Sequence, residues 1–246
     1  MDHSVLDFAD GRRIAYHRSP GQGPGVVFLG GFRSDMTGTK ASFLEAWARA
    51  RGRAFLRFDY TGHGASSGRF EDGSIGQWAK DAADMVERLA EGPQVLVGSS
   101  MGGWIALLLA ARIGHRIAGL VGIAAAPDFT EDAMWAGFDA DQRRRLLEEG
   151  SVTLPSDYSD DPYPITRRLI EDGRQHLVLR GPLDLPFPVR LLHGTADRDV
   201  EMAVALRLVA HATAADLRLV LVKDADHRFS SPDNLDLIAQ TVEDLL

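Results

Sequence analysis

The sequence contains no cysteine among its 246 residues. That absence excludes a disulfide framework, a thiolate metal site and a cysteine nucleophile. The chain also lacks any run of about 18 apolar residues, the length that a membrane-spanning helix requires. Basic residues are the scarcer charge, 27 against 35 acidic ones, so the formal net charge is −8. This balance argues against nucleic acid or an anionic membrane as the main partner.

The amino-terminal segment lacks both the apolar stretch of a secretory signal and the acid-poor composition of a transit peptide, since it reads MDHSVLDFADGRRIAYHRS. We therefore expect a cytoplasmic protein. The overall composition, with 45% hydrophobic and 25% charged residues, is typical of globular proteins. The length predicts a single domain over residues 1–246.

Short apolar runs alternate with helical patterns along most of the chain. The runs cover residues 26–29, 54–58, 94–97, 117–126, 189–192 and 217–222. Helical periodicity covers residues 43–48, 75–89, 102–113, 200–211 and 234–246. This order predicts an α/β fold with a mostly parallel sheet and helices on both of its faces.

Three segments depart from this alternation. Near the amino terminus, Asp10-Gly11 joins the alternating segments 5–8 and 13–16, which predicts a β-hairpin. Residues 19–25 are rich in glycine and proline and predict a turn-rich link. Residues 128–185 are polar and break the rhythm, so they predict a small cap inserted into the α/β core, with helical fragments at 143–149 and 165–172.

The segment Gly98-Ser99-Ser100-Met101-Gly102 matches the pattern Gly-x-Ser-x-Gly. It falls between the strand 94–97 and the helix 102–113, where this motif holds a nucleophile on a sharp strand-to-helix turn. The glycines avoid clashes that a Cβ would cause, and the helix N-terminus favours the negative charge that develops during attack. The pattern predicts Ser100 as a nucleophile; the alternative is a loop that only connects the strand to the helix.

A serine nucleophile needs a general base, and the base needs an orienting acid. Asp197 follows the strand 189–192 and His227 follows the strand 217–222, so both lie at the same sheet edge as Ser100. The order Ser, acid, His is that of the hydrolases. We therefore predict Asp197 as the acid and His227 as the base. The alternatives are Asp199, Asp224 and Asp226 for the acid and His63 for the base, while His193 is expected to brace the acid loop.

An oxyanion hole needs two N–H donors aimed at the developing alkoxide. Met101, directly after the nucleophile, is predicted to supply one. The loop Gly30-Gly31-Phe32 follows the strand 26–29, and Phe32 is predicted to supply the other; the alternative is a plain tight turn. No His-Glu-x-x-His or comparable spacing predicts a metal site, and residues 21–25 lack the Gly-Lys-Ser/Thr of a phosphate loop, so we expect no metal and no cofactor.

Five blocks of the sequence resemble the α/β-hydrolase superfamily. They are GTKA (residues 38–41), RFDYTG (57–62), GPQVLVGSSMGGW (92–104), RLLHGTAD (190–197) and DHR (226–228). The resemblance implies an α/β-hydrolase fold and a serine hydrolase of acyl esters or acyl thioesters, with Ser100, Asp197 and His227 as nucleophile, acid and base. The block 92–104 and GTKA are similar, more particularly, to the acyl-glucuronide esterases and palmitoyl-protein thioesterases of the superfamily.

The expected reaction is a two-step acyl transfer on a small-molecule or acylated substrate. Three cap residues are expected to line an acyl pocket or, equally, only to pack the cap on the core: Trp135, Phe138 and Leu146. A catalytically silent binding module on the same fold stays open as an alternative, as do a peptidase, a C–C bond hydrolase and a lactonase. The sequence also leaves open whether the chain is a monomer or a homodimer.

Overall fold

The computed structural model describes residues 3–154 and 163–246 of the chain. Its first two strands, β1 (Ser4–Asp7) and β2 (Arg13–Ser19), pair antiparallel around the turn that contains Asp10 and Gly11. The amino-terminal hairpin expected from the alternating pattern is therefore present.

Outside residues 128–185, the other elements follow the predicted alternation of strands and helices. The remaining strands are β3 (Gln22–Leu29), β4 (Arg53–Phe58), β5 (Gln94–Ser99), β6 (Ile117–Ile123), β7 (Ser151–Leu154), β8 (Tyr163–Thr166), β9 (Val189–Gly194) and β10 (Leu217–Val222). The α-helices are α1 (Thr39–Ala50), α2 (Ile75–Leu89), α3 (Met101–Ile113), α4 (Ala140–Glu149), α5 (Arg167–Arg174), α6 (Met202–His211) and α7 (Pro232–Glu243). In the described parts of the chain, no helix combines the length and the apolar character needed to cross a bilayer.

Eight strands form one sheet in the order β1-β2-β4-β3-β5-β6-β9-β10. The pairs β1·β2 and β2·β4 are antiparallel, and every other neighbouring pair is parallel. The carboxyl ends of β3, β5, β6, β9 and β10 consequently meet at one edge of the sheet, which is where ligand sites form in open α/β sheets. The predicted mostly parallel α/β sheet is confirmed.

Alternate residues of the central strands face opposite layers of the core. In β3, Val27 and Leu29 pack on one face with helices α2 and α3, whereas Val26 and Phe28 pack on the other with helices α1 and α7. All four side chains are buried, and fully burying an aliphatic or aromatic side chain of this size stabilises a fold by about 1.5–3 kcal/mol. The strands buried on both faces explain the continuous apolar runs seen in the sequence.

The prediction of a turn-rich link over residues 19–25 is wrong, because β3 already begins at Gln22. Gln22 pairs with Arg53, and its backbone N–H donates to the carbonyl of Gly52 over 2.7 Å. A Cβ on Gly21 would stand 2.2 Å from the carbonyl carbon of Arg53. This glycine therefore permits two backbones to approach in the sheet rather than marking a turn.

The segment of residues 128–185, called the cap segment below, lies between β6 and β9 along the chain. Its described parts are a π-helical turn (Thr130–Trp135), helices α4 and α5, and the antiparallel pair β7·β8. The expected helical fragments correspond to α4 and α5, although residues 165 and 166 belong to β8. Asp172 accepts the backbone N–H of Gly76 over 2.7 Å, and the Trp104 indole donates to the His176 carbonyl, so the segment is bonded to the core.

Candidate active site

Ser100 occupies the turn between β5 and α3, at φ 55° and ψ −118°. A non-glycine residue with positive φ costs free energy, on the order of 1–3 kcal/mol, and persists only when its surroundings hold it. Here the Ser100 N–H donates to the Ile123 carbonyl over 2.9 Å, and the Ser100 carbonyl accepts the N–H groups of Gly103 and Ala126. These bonds hold the hydroxyl-bearing residue at the carboxyl edge of the sheet.

The two motif glycines permit close backbone packing at this turn. A Cβ on Gly102 would stand 2.0 Å from the carbonyl oxygen of Leu29, and a Cβ on Gly98 would stand 2.3 Å from the carbonyl oxygen of Gly102. Neither distance is compatible with a side chain. The spacing Gly-x-Ser-x-Gly is thus required by the packing of β5, α3 and the end of β3.

The structure brings Ser100, His227 and Asp197 together in one chain of hydrogen bonds. The Nε2 atom of His227 lies 3.1 Å from Ser100 Oγ, and its Nδ1 atom lies 2.8 Å from Asp197 Oδ2. Asp197 comes from the loop after β9 and His227 from the loop after β10. The Asp197 side chain is fully buried, whereas 16% of the His227 side chain is exposed.

The environment of Asp197 keeps its carboxylate ionised. Burial would raise the pKa of Asp197, but hydrogen bonds from His227 and from the backbone N–H groups of Val200 and Asp199 outweigh it, and the pKa lies below the ordinary value of 3.8. Both backbone N–H groups donate to Oδ1 over 2.9 Å. The remaining oxygen, Oδ2, lies 2.8 Å from His227 Nδ1, on the side of the imidazole away from Ser100.

The other acidic candidates hold different positions. Asp226 accepts the backbone N–H of Phe229 over 3.0 Å, which closes the turn after His227. Asp224 has positive φ, and its N–H donates to the Thr195 hydroxyl. Asp199 contributes its N–H to Asp197. The hydrogen bond to His227 Nδ1 is made by Asp197, over 2.8 Å.

The rival histidines are also accounted for. His193 is buried at the end of β9, with Nε2 3.0 Å from the Val200 carbonyl and 3.7 Å from Asp197 Oδ2. Burial lowers its pKa, so it is neutral and braces the acid loop, as the sequence led us to expect. His63 lies beside the loop that follows β3, where its Nε2 accepts the N–H of Arg33 over 3.3 Å.

The two predicted oxyanion residues lie close to Ser100. Met101 follows it directly as the first residue of α3 and is fully buried. A Cβ on Gly31 would stand 3.5 Å from the Ser100 Cβ, so the backbone before Phe32 runs beside Ser100. The Phe32 ring packs edge-on against Phe70, with centroids 4.9 Å apart.

A cavity of about 650 Å³ opens beside Ser100 and His227. Its lining includes apolar residues of the core and the cap: Phe32, Ala126, Phe129, Ala133, Met134 and Tyr163. It also includes polar residues, among them Ser34, Asp35, Lys40 and Arg228. Lys40 donates to the Arg228 carbonyl, and burial lowers its pKa to about 8. A pocket of this size, lined by apolar residues and a few polar groups, is typical of a small-ligand site.

The three cap residues proposed from the sequence, Trp135, Phe138 and Leu146, are not among the residues lining this cavity. The Trp135 ring lies between the guanidinium groups of Arg143 and Arg174, at 5.3 and 4.6 Å. Phe138 and Leu146 are buried in the core cluster, 5% and 1% exposed. The sequence allowed these residues either to line an acyl pocket or to pack the cap on the core, and the structure supports the packing role.

Phe129, Met134 and Tyr163 are the large apolar cap residues of the cavity lining, and the sequence did not indicate them. Neighbouring positions on a helical turn face different directions, so Met134 reaches the cavity while Trp135 turns toward the arginines. The turn over Thr130–Trp135 is π-helical, so its side chains do not follow the α-helical period. No pattern in the sequence predicts this turn.

Asp197, Asp199 and His227 are also a group whose ligand atoms lie within 4.8 Å of one another. Their chemistry, two carboxylates and one imidazole, would suit a divalent cation. However, Asp197 Oδ2 and His227 Nδ1 already hydrogen-bond each other, and His227 Nε2 faces Ser100. These contacts, together with the hydrogen bond from the Asp199 N–H to Asp197, account for the closeness of the three groups without a metal ion.

The fold and the turn around Ser100 define a hydrolase of the α/β-hydrolase class. The profile of the alpha/beta hydrolase family matches residues 26–240, and the chain belongs to that family.

Among curated proteins, the chain is similar to the mitochondrial palmitoyl-protein thioesterase ABHD10. It is 33% identical to the Homo sapiens protein and 34% identical to the Bos taurus protein, each over 244 residues that cover 99% of this chain and 79% of the relative. These relatives and the family identify the chain as an ester-bond hydrolase.

Two solved structures are similar over almost their whole length. A putative hydrolase from Agrobacterium vitis S4 is 40% identical, with a TM-score of 0.95 over 99% of this chain and 98% of that one. The alpha/beta hydrolase domain-containing protein 10 from mouse is 34% identical, with a TM-score of 0.92 over 100% of this chain and 98% of that one. The expected α/β-hydrolase fold is thereby confirmed.

Proposed function

We propose that the chain is a serine hydrolase that cleaves carboxylic esters or acyl thioesters through an acyl-enzyme intermediate. The observation that carries the proposal is the hydrogen-bonded chain from Asp197 through His227 to Ser100, with separations of 2.8 and 3.1 Å. In this assignment Ser100 is the nucleophile, His227 the general base and Asp197 the acid that orients the imidazole.

The reaction proceeds in two steps. In the first, His227 Nε2 takes the Ser100 proton while Oγ attacks the substrate carbonyl, and the oxyanion accepts hydrogen bonds from the N–H groups of Met101 and Phe32. The intermediate then expels the alcohol or thiol, which receives the proton from His227. In the second, water attacks the acyl-serine while His227 takes its proton; the Oγ–acyl bond then breaks, Ser100 Oγ receives that proton, and the carboxylic acid leaves.

The cavity supports an acyl group as the part of the substrate that is recognised. Its lining contains Ser100 together with apolar residues such as Phe129 and Met134, which suit an alkyl or aryl chain. Lys40 in the same lining suits a hydrophilic leaving group. Similarity to palmitoyl-protein thioesterases supports an acyl thioester or a related acyl ester as the substrate class.

The test is a fluorophosphonate probe combined with a panel of substrates. The probe is expected to label the wild-type chain and the Ser99→Ala control but not Ser100→Ala. The wild type is expected to hydrolyse p-nitrophenyl esters and acyl-CoA thioesters of graded chain length. Absence of both labelling and turnover would favour a silent binding module, and turnover of peptides or lactones alone would reassign the substrate class.

A further inference from the structure

The loop that follows β3, residues 30–36 and called the oxyanion loop below, has little hydrogen bonding of its own. Within it, the N–H and the hydroxyl of Ser34 both donate to the Gly31 carbonyl, at 3.2 and 2.8 Å. Arg33 adopts φ 57°, a conformation that costs free energy for a residue with a side chain. Something outside the loop must therefore keep Phe32, its proposed oxyanion donor, in place.

The segment after β4 holds the oxyanion loop at three points. Asp59 accepts the N–H of Met36 over 2.6 Å near one end, and the Tyr60 hydroxyl lies 3.3 Å from the Gly30 carbonyl at the other. Between them, His63 Nε2 accepts the N–H of Arg33 over 3.3 Å. Of these contacts, the one from His63 falls directly beside the proposed oxyanion donor.

His63 is built to be a fixed hydrogen-bond acceptor. It is 4% exposed, and the rings of Tyr60, Phe70 and Trp78 meet it edge-on at centroid distances of 5.5, 5.2 and 5.1 Å. Its Nδ1 lies 3.4 Å from the Thr61 carbonyl, which selects the tautomer with the proton on Nδ1. Burial lowers its pKa to about 4, so Nε2 keeps its lone pair at neutral pH.

We propose that His63 is a positioning residue for the reaction: through the Arg33 N–H it holds the oxyanion loop so that the adjacent Phe32 N–H meets the oxyanion. This inference rests on the proposed function. An oxyanion donor acts only when it lies within hydrogen-bond distance of the developing charge. When the hydrogen bond from the Arg33 N–H to His63 is lost, the strained backbone relaxes and the Phe32 N–H moves away from the oxyanion. Because this N–H stabilises the transition state and not the bound substrate, kcat falls while KM stays nearly the same.

The test compares His63→Gln with His63→Asn. The Gln amide oxygen reaches the position of Nε2, whereas the shorter Asn amide reaches only that of Nδ1, so Gln keeps the acceptor and Asn removes it. We expect Asn to lower kcat for a p-nitrophenyl ester roughly 10–100-fold, with KM within about twofold, and Gln to recover most of the loss. The inhibition constant of a trifluoromethyl ketone, whose tetrahedral adduct places an oxyanion in the hole, is expected to rise in Asn in parallel with the fall in kcat.

The matched control is Ser67→Ala, whose hydroxyl in the same segment accepts the Arg13 N–H over 2.8 Å and contacts neither the oxyanion loop nor Asp59. It is expected to change thermal stability but not kcat. Equal losses in Asn and Gln, a change in KM alone, or kcat unchanged in both would overturn the positioning role. A wild type that neither reacts with the fluorophosphonate probe nor turns over esters would instead refute the proposed function.

Discussion

Asp197→Asn changes one atom of the buried acid and leaves its volume almost unaltered. The backbone N–H groups of Val200 and Asp199 donate to Oδ1 and therefore require an oxygen at that position, so the amide nitrogen must face His227. That nitrogen is a donor, and His227 Nδ1 must then become an acceptor. The proton moves to Nε2, which faces Ser100, and the imidazole can no longer take the proton of the serine.

The expected result is a fall in kcat of roughly 10³–10⁴-fold, the loss typical when the orienting acid is replaced by its amide. In free energy this is about 4–5.5 kcal/mol of transition-state stabilisation. The assay is the steady-state hydrolysis of a short p-nitrophenyl ester, with the thermal unfolding of the variant recorded beside it. Asp199→Asn, Asp224→Asn and Asp226→Asn are the controls and are expected to lose far less. Near-normal turnover in Asp197→Asn, with one control inactive instead, would refute the assignment.

The same substitution has a signature in stability. Because the pKa of Asp197 in the folded chain lies below its ordinary value of 3.8, the ionised group stabilises the fold above that value, and the contribution is lost as the pH falls through the folded-state pKa. The asparagine variant has no such group. The difference in unfolding free energy between wild type and variant, measured with urea, is therefore expected to shrink as the pH falls from about pH 5 through the folded-state pKa, which lies below 3.8. A difference that stays constant over that range would contradict the lowered pKa.

Two further predictions concern the turn and the cap. Gly102→Ala is expected to lower both stability and activity, since its Cβ would meet the Leu29 carbonyl at 2.0 Å; thermal unfolding and turnover check it, and a variant as stable as wild type would contradict the packing argument. Met134→Ala is expected to shift kcat/KM among acyl chain lengths by at most roughly 10–200-fold, whereas Trp135→Ala is expected to keep the wild-type length profile and lose only stability. The measurement is kcat/KM for C2 to C16 esters in both variants. A changed length profile in Trp135→Ala, with an unchanged one in Met134→Ala, would show that Trp135 and not Met134 lines the acyl pocket.

The parts of the fold that the sequence predicted well are those where one chemical requirement dominates. Apolar runs buried on both faces identified the parallel strands, and the glycines beside Ser100 identified the strand-to-helix turn. The chain order of Asp197 and His227 then placed them at the edge where the structure brings both to Ser100. Their catalytic roles, like the single domain and the cytoplasmic location, stay predictions.

The parts that the sequence did not predict depend on local geometry that several patterns share. A glycine such as Gly21 is compatible both with a turn and with the close approach of two strands. The pairing of Gln22 with Arg53 in the structure shows that the second interpretation is correct. From the sequence, Trp135 and Phe138 suit packing of the cap and the lining of a pocket equally well. The geometry of the π-helical turn places Met134, and not Trp135, in the cavity lining. His63 lay at the right edge of the sheet, but its partner is a backbone N–H, which no side-chain motif reveals.

The central claim is that Ser100 carries the acyl group between the two halves of the reaction. Rapid quenching of the wild type during turnover of a p-nitrophenyl ester, followed by intact-mass and peptide mass spectrometry, tests it directly. The account predicts a mass increase equal to the acyl group, located on the peptide that contains Ser100 and absent from Ser100→Ala. An acyl adduct on another residue, or hydrolysis that persists in Ser100→Ala, would contradict it.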